Sequence, residues 1–287
     1  MTSVTSVAYL GPPGTHTEEA LLASAPEAVQ REPRATLHET VMAVQLGQTD
    51  RAVVPIENSL EGGVAATLDA LAGEAERVRI AAEVVHPIHH HLLAARELDP
   101  GAVRRVLSHP QATAQCARFL REQLPQAERV AATSTAEAVR LVRNSGEPWA
   151  ALGSRLSATL YDCVVLAERV EDRADNLTRF VWLAHADSLG SAHTATGDGP
   201  HETSVVFWGF NDSSPGALVE VLGEFSGRGI NLTKIESRPR RVRLGHYMFF
   251  ADLEGHDSDP RVVEALDALR GRVETLRVLG SYPAWRG

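Results

Sequence analysis

Residues 185–202 (HADSLGSAHTATGDGPHE) are short of large apolar side chains and rich in Gly, Ser, Thr and Asp. Such a stretch cannot bury enough surface to offset the entropy of ordering it, so it predicts a linker. It divides the chain into two domains, about 1–184 and about 203–287. Before the break, strand-like and helix-like segments alternate. VTSVAYLG, RAVVPIE, RIAAEVVHPIHHHLLAA, RVAATS, WAALGS, VVLAERVED and NLTRFVWLA read as strands. THTEEALLASA, GGVAATLDALAGE, SHPQATAQCARFLREQL and TAEAVRLVRNSG read as helices. That alternation predicts an α/β domain with a largely parallel sheet. The long excursion between about 80 and about 180 suits a second lobe. One lobe is then about 1–78 with 178–184, the other about 79–177, with a cleft between them.

After the break the pattern changes. TSVVFWGF, GALVEVLGEFSGRG, INLTKIESRP, HYMFFADLEG, DPRVVEALDALRGRV and TLRVLGSYP read βαββαβ, a ferredoxin-like order. That fold hosts many functions and says little about role.

Composition removes several classes. The chain has 287 residues, a formal charge of −9 and two cysteines. No apolar run reaches the roughly 18 residues of a membrane span. Residues 1–10 lack a basic stretch, so no secretory signal is expected. Cys116 and Cys163 are isolated thiols, which suits a reducing, cytoplasmic compartment. An acidic chain with no basic block is a poor nucleic-acid binder. Of its 28 Lys and Arg residues only Lys234 is lysine, a bias of codon usage rather than a functional signal.

Three helix starts carry capping-box spacing: Thr15 with Glu18, Ser108 with Gln111, and Ser134 with Glu137. Each could seat a carboxylate on backbone N–H groups, or simply cap its helix. Gly11-Pro-Pro-Gly14 sets a tight loop at the C-terminal end of a strand, where ligands sit in open α/β sheets. Ser108, Gln111 and Gln115 share one helix face, which could bind a polar ligand or face solvent. Pro55-Ile-Glu-Asn-Ser-Leu-Glu-Gly-Gly63 is dense in donors and acceptors, as turns also are. His86, His89, His90 and His91 invite a metal reading, but no acidic or Cys partner is usefully spaced and Leu92-Leu-Ala-Ala95 continues as core. No metal is expected. Nucleotide, phosphate-loop, serine-hydrolase and zinc-protease motifs do not occur.

Taken in order, these pieces are specific. Tyr9-Leu-Gly-Pro-Pro-Gly-Thr15, Pro55-Ile-Glu-Asn-Ser59, Ser108-His-Pro-Gln111 with Gln115-Cys116, Ser134-Thr-Ala-Glu137 and Asn176-Leu-Thr-Arg-Phe180 closely resemble the prephenate dehydratase family. The second domain resembles that family's regulatory ACT domain through Gly216-Ala-Leu218 and Ile230-Asn-Leu-Thr-Lys-Ile-Glu-Ser-Arg-Pro239. With no chorismate mutase segment in front, the chain resembles the monofunctional form. The resemblance implies a two-lobed, periplasmic-binding-protein-like catalytic domain. It also implies decarboxylating dehydration of prephenate to phenylpyruvate, in phenylalanine biosynthesis, without a cofactor.

By match, Thr178 hydrogen-bonds or protonates the departing hydroxyl, with Asn58, Ser108 and Gln115 in the catalytic set. Thr15, Glu57, Ser59, Arg179 and Phe180 are expected to bind substrate. Arg179 is the one obvious cation for a dianion, although a structural salt bridge would explain it equally. Helix N-termini, chiefly that at Gly14-Thr15, are expected to meet the remaining charge. With one lysine in the chain, any side-chain cation in the cleft must be Arg or protonated His. The chain departs from the family at His16, where Phe is usual, and at Pro13, where an acidic or amide residue is common.

The resemblance further implies that L-phenylalanine binds between paired ACT domains. Gly216, Ala217, Leu218, Asn231, Leu232, Glu236, Ser237, Arg238 and Pro239 would form the effector site. Such a site requires at least a homodimer, extended to a homotetramer. An arogenate dehydratase and a non-enzymatic amino-acid sensor are the alternatives.

Overall fold

A computed structural model describes residues 4–25, 28–189, 199–211 and 214–285, so half of the expected linker, 190–198, lies outside the described residues. The first lobe contains β1 (Ser6–Leu10), α1 (His16–Ser24), β2 (Gln30–Arg34), α2 (Leu37–Gln45) and β3 (Arg51–Asn58). The two-residue β4 (Gly62–Gly63), α3 (Ala65–Ala72) and β5 (Val78–Pro87) follow. The second lobe contains β6 (His91–Ala94), β7 (Arg105–Ser108), α4 (Pro110–Gln115), α5 (Ala117–Gln123) and β8 (Glu128–Ala131). It is completed by α6 (Thr135–Ser145), β9 (Trp149–Gly153), α7 (Arg155–Leu160) and β10 (Val164–Ala167), after which β11 (Leu177–His185) returns to the first lobe.

The sheets are β2-β1-β3-β11-β5 and β10-β6-β9-β7-β8, so both lobes are α/β as expected. They are mixed rather than largely parallel. β5 runs into the cleft and β11 starts there, so β11 lies antiparallel to both β3 and β5. β5 pairs with β11 along its length, from Leu177 opposite Pro87 to His185 opposite Val78. The crossing into the second lobe therefore falls at Ile88, not at residue 79. The SHPQATAQCARFLREQL helix breaks at Cys116 into α4 and α5. β2 (QREPR) is an edge strand without apolar alternation.

The loop before α1 ties the lobes together. Gly14 adopts φ +91°, and a Cβ there would lie 3.0 Å from the Ser157 Cβ, so the loop needs glycine for conformation and for space. The Ser154 hydroxyl donates to the Gly14 carbonyl at 2.7 Å, and the Tyr161 hydroxyl to the Pro13 carbonyl at 2.8 Å.

The C-terminal domain contains β12 (His201–Trp208), α8 (Ala217–Ser226), β13 (Leu232–Pro239), β14 (Tyr247–Glu254), α9 (Pro260–Arg270) and β15 (Thr275–Pro283). Its antiparallel sheet, β13-β14-β12-β15, has the ferredoxin-like order expected. Val205, Phe207, Ala251 and Leu253 pack under α8 and α9 with Phe225 and Leu266. The opposite face, with Val206, Met248, Phe250, Leu279 and Tyr282, joins the first lobe's Val41, Leu68, Leu71, Ile80 and Val181 in one core. Burying such side chains is worth about 1.5–3 kcal/mol each, so this domain is docked and not merely tethered. At the seam a Cβ on Gly280 would lie 2.2 Å from the Ile80 carbonyl oxygen, so β15 reaches β5 only with glycine there.

Candidate active site

Between the lobes, at the C-terminal ends of β1, β3 and β7, lies a cavity of about 320 Å³. The N-termini of α1, α4 and α6 all open onto it, through Thr15 to Thr17, through His109, Gln111 and Ala112, and through Thr133 to Thr135. Their dipoles make it favourable for anions. A larger depression of about 530 Å³ over α4, α5 and β8 holds none of the expected site residues.

The cleft's polar wall is one chain of hydrogen bonds. The Asn58 carbonyl oxygen accepts from the Leu60 and Glu61 amides at 3.0 and 3.1 Å. Its Nδ2 is thereby turned toward Thr178 Oγ1 and Asn176 Oδ1, both at 2.8 Å. Since Thr178 accepts from Asn58, its own hydroxyl hydrogen is left to donate into the cavity. Asn176 Nδ2 donates to Gln115 Oε1 at 3.1 Å, and His90 Nε2 donates to the same oxygen at 3.0 Å. With that oxygen doubly bonded, Gln115 presents its amide N–H groups instead.

His90 is buried, and burial, reinforced by the neighbouring His16, pulls its pKa down to about 4. The ring is therefore neutral, with a hydrogen on Nε2 and a bare Nδ1 that has no partner among the described residues. Around the wall stand Leu10, Pro55, Val64, Ile88 and Phe180, an apolar seat for a ring. Among the described residues that line the cavity there is no Arg, Lys, Asp or Glu.

Thr15, Asn58, Gln115, Thr178 and Phe180 meet here. Ser108 does not line the cavity: as the fully buried last residue of β7, it donates to the Leu152 carbonyl at 3.1 Å. The cap of α4 is instead His109, whose Nδ1 accepts from the Gln111 amide at 3.3 Å. Ser59 supports the site from behind, accepting from the Leu177 amide and donating to the Asp175 carbonyl.

Arg179 and Glu57 stand outside the cleft. Alternation along β11 sends Thr178 and Phe180 one way and Arg179 the other, toward the C-terminal domain. There its guanidinium meets Glu83 at 2.5 Å, Asp252 and the Tyr282 hydroxyl at 2.6 Å, Glu202 at 3.1 Å and Glu57 at 3.4 Å. The start of α1 is also partly filled, because the Glu18 carboxylate accepts from the Gly14 amide at 2.7 Å and pairs with Arg31.

Sequence reasoning passed over Asn176 and His90 as site residues. Asn176 was findable, since 176, 178 and 180 share a strand face. His90 carried no signal beyond its histidine tract, whose members diverge: His86 lies by Glu19, His89 pairs with Glu171, and His91 is buried in β6.

Of the expected effector residues, Gly216 caps α8 with φ +88°, at the same end of the sheet as Arg238 and Pro239. β13 alternates. Glu236 lies beside Gly63 and Arg238 forms a bidentate pair with Asp69 at 3.0 and 2.8 Å, both turned toward the first lobe. Ser237 and Pro239 are exposed. Leu232 packs on the C-terminal domain's own core, and the Asn231 carbonyl accepts from the Glu254 amide at 3.0 Å.

Comparison with known proteins agrees with this geometry. Residues 7–188 match the family model for prephenate dehydratase and residues 211–271 that for the ACT domain. A prephenate dehydratase of Amycolatopsis methanolica is 40% identical over 279 residues, covering 96% of this chain and 88% of that protein. A bifunctional chorismate mutase/prephenate dehydratase of Pseudomonas aeruginosa is 40% identical over 277 residues, covering 96% of this chain and 73% of that one. The crystal structure of prephenate dehydratase from Arthrobacter aurescens in complex with L-Phe superposes with a TM-score of 0.85 at 38% identity, covering 97% of this chain and 90% of that one. The chain belongs to the prephenate dehydratase family and carries an ACT domain at its C-terminal end.

Proposed function

We propose that this protein converts prephenate to phenylpyruvate, water and carbon dioxide in the cleft between its lobes, under control of phenylalanine. The bond from the ring to its carboxylate breaks and its electron pair becomes ring π density. The ring C–O bond breaks in concert, and the hydroxyl leaves as water after gaining a proton. Atoms balance without a cofactor, and aromatisation supplies the driving force.

One observation carries the reading: the Asn58 amide donates to Thr178 Oγ1 at 2.8 Å, which leaves the threonine's own hydrogen free to donate to a ligand in the cavity that Thr178 lines. Thr178 polarises the leaving hydroxyl, with the proton relayed through water, because an ordinary threonine is too weak an acid to give it up outright. Asn176 and His90 fix Gln115, whose N–H groups hold the substrate's polar end. The apolar wall seats the ring and keeps water from the carboxylate that is lost.

Phenylalanine binds where the ACT domains of two copies meet, at Gly216, Ala217 and Leu218 of one and Ser237 and Pro239 of the other. Val219 and Ile235, 72% and 49% exposed at that part of the domain, suit coverage by a second copy. Two such dimers make the tetramer. A cytoplasmic location fits two free thiols, and among the described residues no helix is long and apolar enough to cross a membrane.

The test is the purified protein with prephenate, phenylpyruvate being followed as it forms, and arogenate and phenylalanine added in turn. Prephenate turnover that responds to phenylalanine is expected. Preference for arogenate changes the substrate, and no product from either leaves an amino-acid sensor.

A further inference from the structure

Under the function proposed above, a dianion enters a cleft whose lining, among the described residues, has no Arg or Lys. Arg179 is turned into the domain seam. The side chains of the lining that can carry positive charge are His16, His90 and His109. His90 is kept neutral by burial, and His109 uses Nδ1 as the acceptor that caps α4, a bond that protonation would break.

His16 differs from both. Its Nδ1 lies 2.8 Å from Glu19 Oε2, and because a carboxylate only accepts, Nδ1 carries the hydrogen. That leaves Nε2, which is buried and has no partner among the described residues. The ring lines the cavity and stands edge-on to His90, centroids 5.3 Å apart. A neutral Nε2 would offer a lone pair and repel an incoming carboxylate. A protonated Nε2 would donate to it, with the Glu19 charge behind.

Other groups support an ionised Glu19. His86 Nε2 from β5 lies 3.7 Å from its carboxylate, and the Leu156 amide from α7 donates to it at 3.1 Å. Burial works against the charge, yet the hydrogen bond from His16 and the nearby His86 ring hold this carboxyl well below the usual carboxylate range. His90 and, from β6, His91 are the other titratable groups around the pair.

We propose that His16, protonated as substrate binds and backed by Glu19, is the cation that meets the substrate's side-chain carboxylate, the one that phenylpyruvate keeps, in this cleft. Binding is then coupled to proton uptake at Nε2. His16 adds affinity and pH sensitivity to the cleft and is not itself the proton source for the leaving hydroxyl.

The experiment measures kcat and KM for prephenate with the full-length protein from about pH 6 to about pH 9, the uncatalysed rate subtracted. A neutral His16 binds poorly, so kcat/KM falls as pH rises. The His16→Phe variant should raise KM about tenfold near neutrality, with a smaller change in kcat, and should lose that decline. A Glu19→Gln variant should move the decline to lower pH, and a His86→Gln variant should retain it. Calorimetric binding of phenylpyruvate in buffers of different ionisation heat gives a readout free of turnover, in which wild type takes up a proton and His16→Phe does not. An active His16→Phe enzyme with unchanged KM and unchanged pH profile would overturn the role of His16 while leaving the dehydratase reading intact. Failure of wild type to turn over prephenate would end that reading. Proton uptake on binding phenylpyruvate would then still support His16 as a carboxylate cation, and its absence would overturn it.

Discussion

Thr178 and Arg179 are neighbours on β11, yet they face opposite kinds of chemistry. The cleft side is a chain of uncharged groups, Thr178, Asn58, Asn176, Gln115 and His90. The seam side packs one guanidinium among Glu57, Glu83, Glu202 and Asp252. Burial works against the Arg179 charge, but Asp252, Tyr282 and Glu83 raise its pKa further and keep it protonated, while burial pushes Glu202 up. The difference follows from task. A polar wall that donates to a leaving hydroxyl is served by fixed dipoles, whereas buried charge demands close partners in one geometry and so specifies how two domains dock. The two sides are linked by register, because Thr178 pairs with Asn58 and Arg179 with Glu57. Lys234 of the ACT domain lies 3.6 Å from Glu57, so the seam touches the strand positions beside the cleft residues.

Removing the cleft's donor breaks its half of the comparison. Thr178→Val keeps shape and deletes the hydroxyl, and kcat should fall about 10²- to 10⁴-fold if the hydroxyl assists proton transfer. Thermal stability should change little, because the lost bond, Asn58 to Thr178, lies in a cavity open to water. A kcat within a few-fold of wild type would remove Thr178 from the chemistry.

Removing the seam's cation should do the reverse. Arg179→Leu leaves Glu83, Glu202 and Asp252 together in the seam without their cation, and denaturant unfolding should show a loss of about 3–5 kcal/mol. Growth at reduced temperature provides folded protein for assay, and its kcat should fall much less than in Thr178→Val. A loss under about 1 kcal/mol would mean that the cluster neutralises itself by protonation, Glu202 first, and contributes little to docking.

Much of this contrast was legible in the sequence. Strand alternation alone places Thr178 and Phe180 on one face and Arg179 on the other, so the expectation that Arg179 holds substrate conflicted with the period of its own strand. What covered that other face was not legible, since it is a tertiary partner about 70 residues further along the chain, Asp252. The Gly/Ser-rich break divided the chain into two domains but gave no sign of the docking. A better signal was Val205-Val-Phe-Trp208, a run too continuous for a sheet with one wet face. Ser108 shows a limit of another kind. Capping spacing cannot tell Ser108 from His109, and burial at the end of β7 decided for His109.

Acid sharpens the comparison at its smallest expected effect. The cleft wall contains one titratable link, His90, whose pKa falls from an ordinary value of 6.5 to about 4 in the folded protein. An unfolded chain therefore binds the extra proton first. The stability conferred by keeping this ring neutral is present above about pH 6.5 and is lost as pH falls through the folded value, on the order of 3 kcal/mol in all. His90→Gln keeps a donor for Gln115 without a titrating ring. Its unfolding free energy should decline less than that of wild type between about pH 6.5 and about pH 4, and the difference between the two curves isolates His90 from Glu19 and the seam carboxylates, which both proteins share. Parallel curves would mean that His90 is already solvated enough to titrate normally, and the cleft wall would then be as open to charge as the seam.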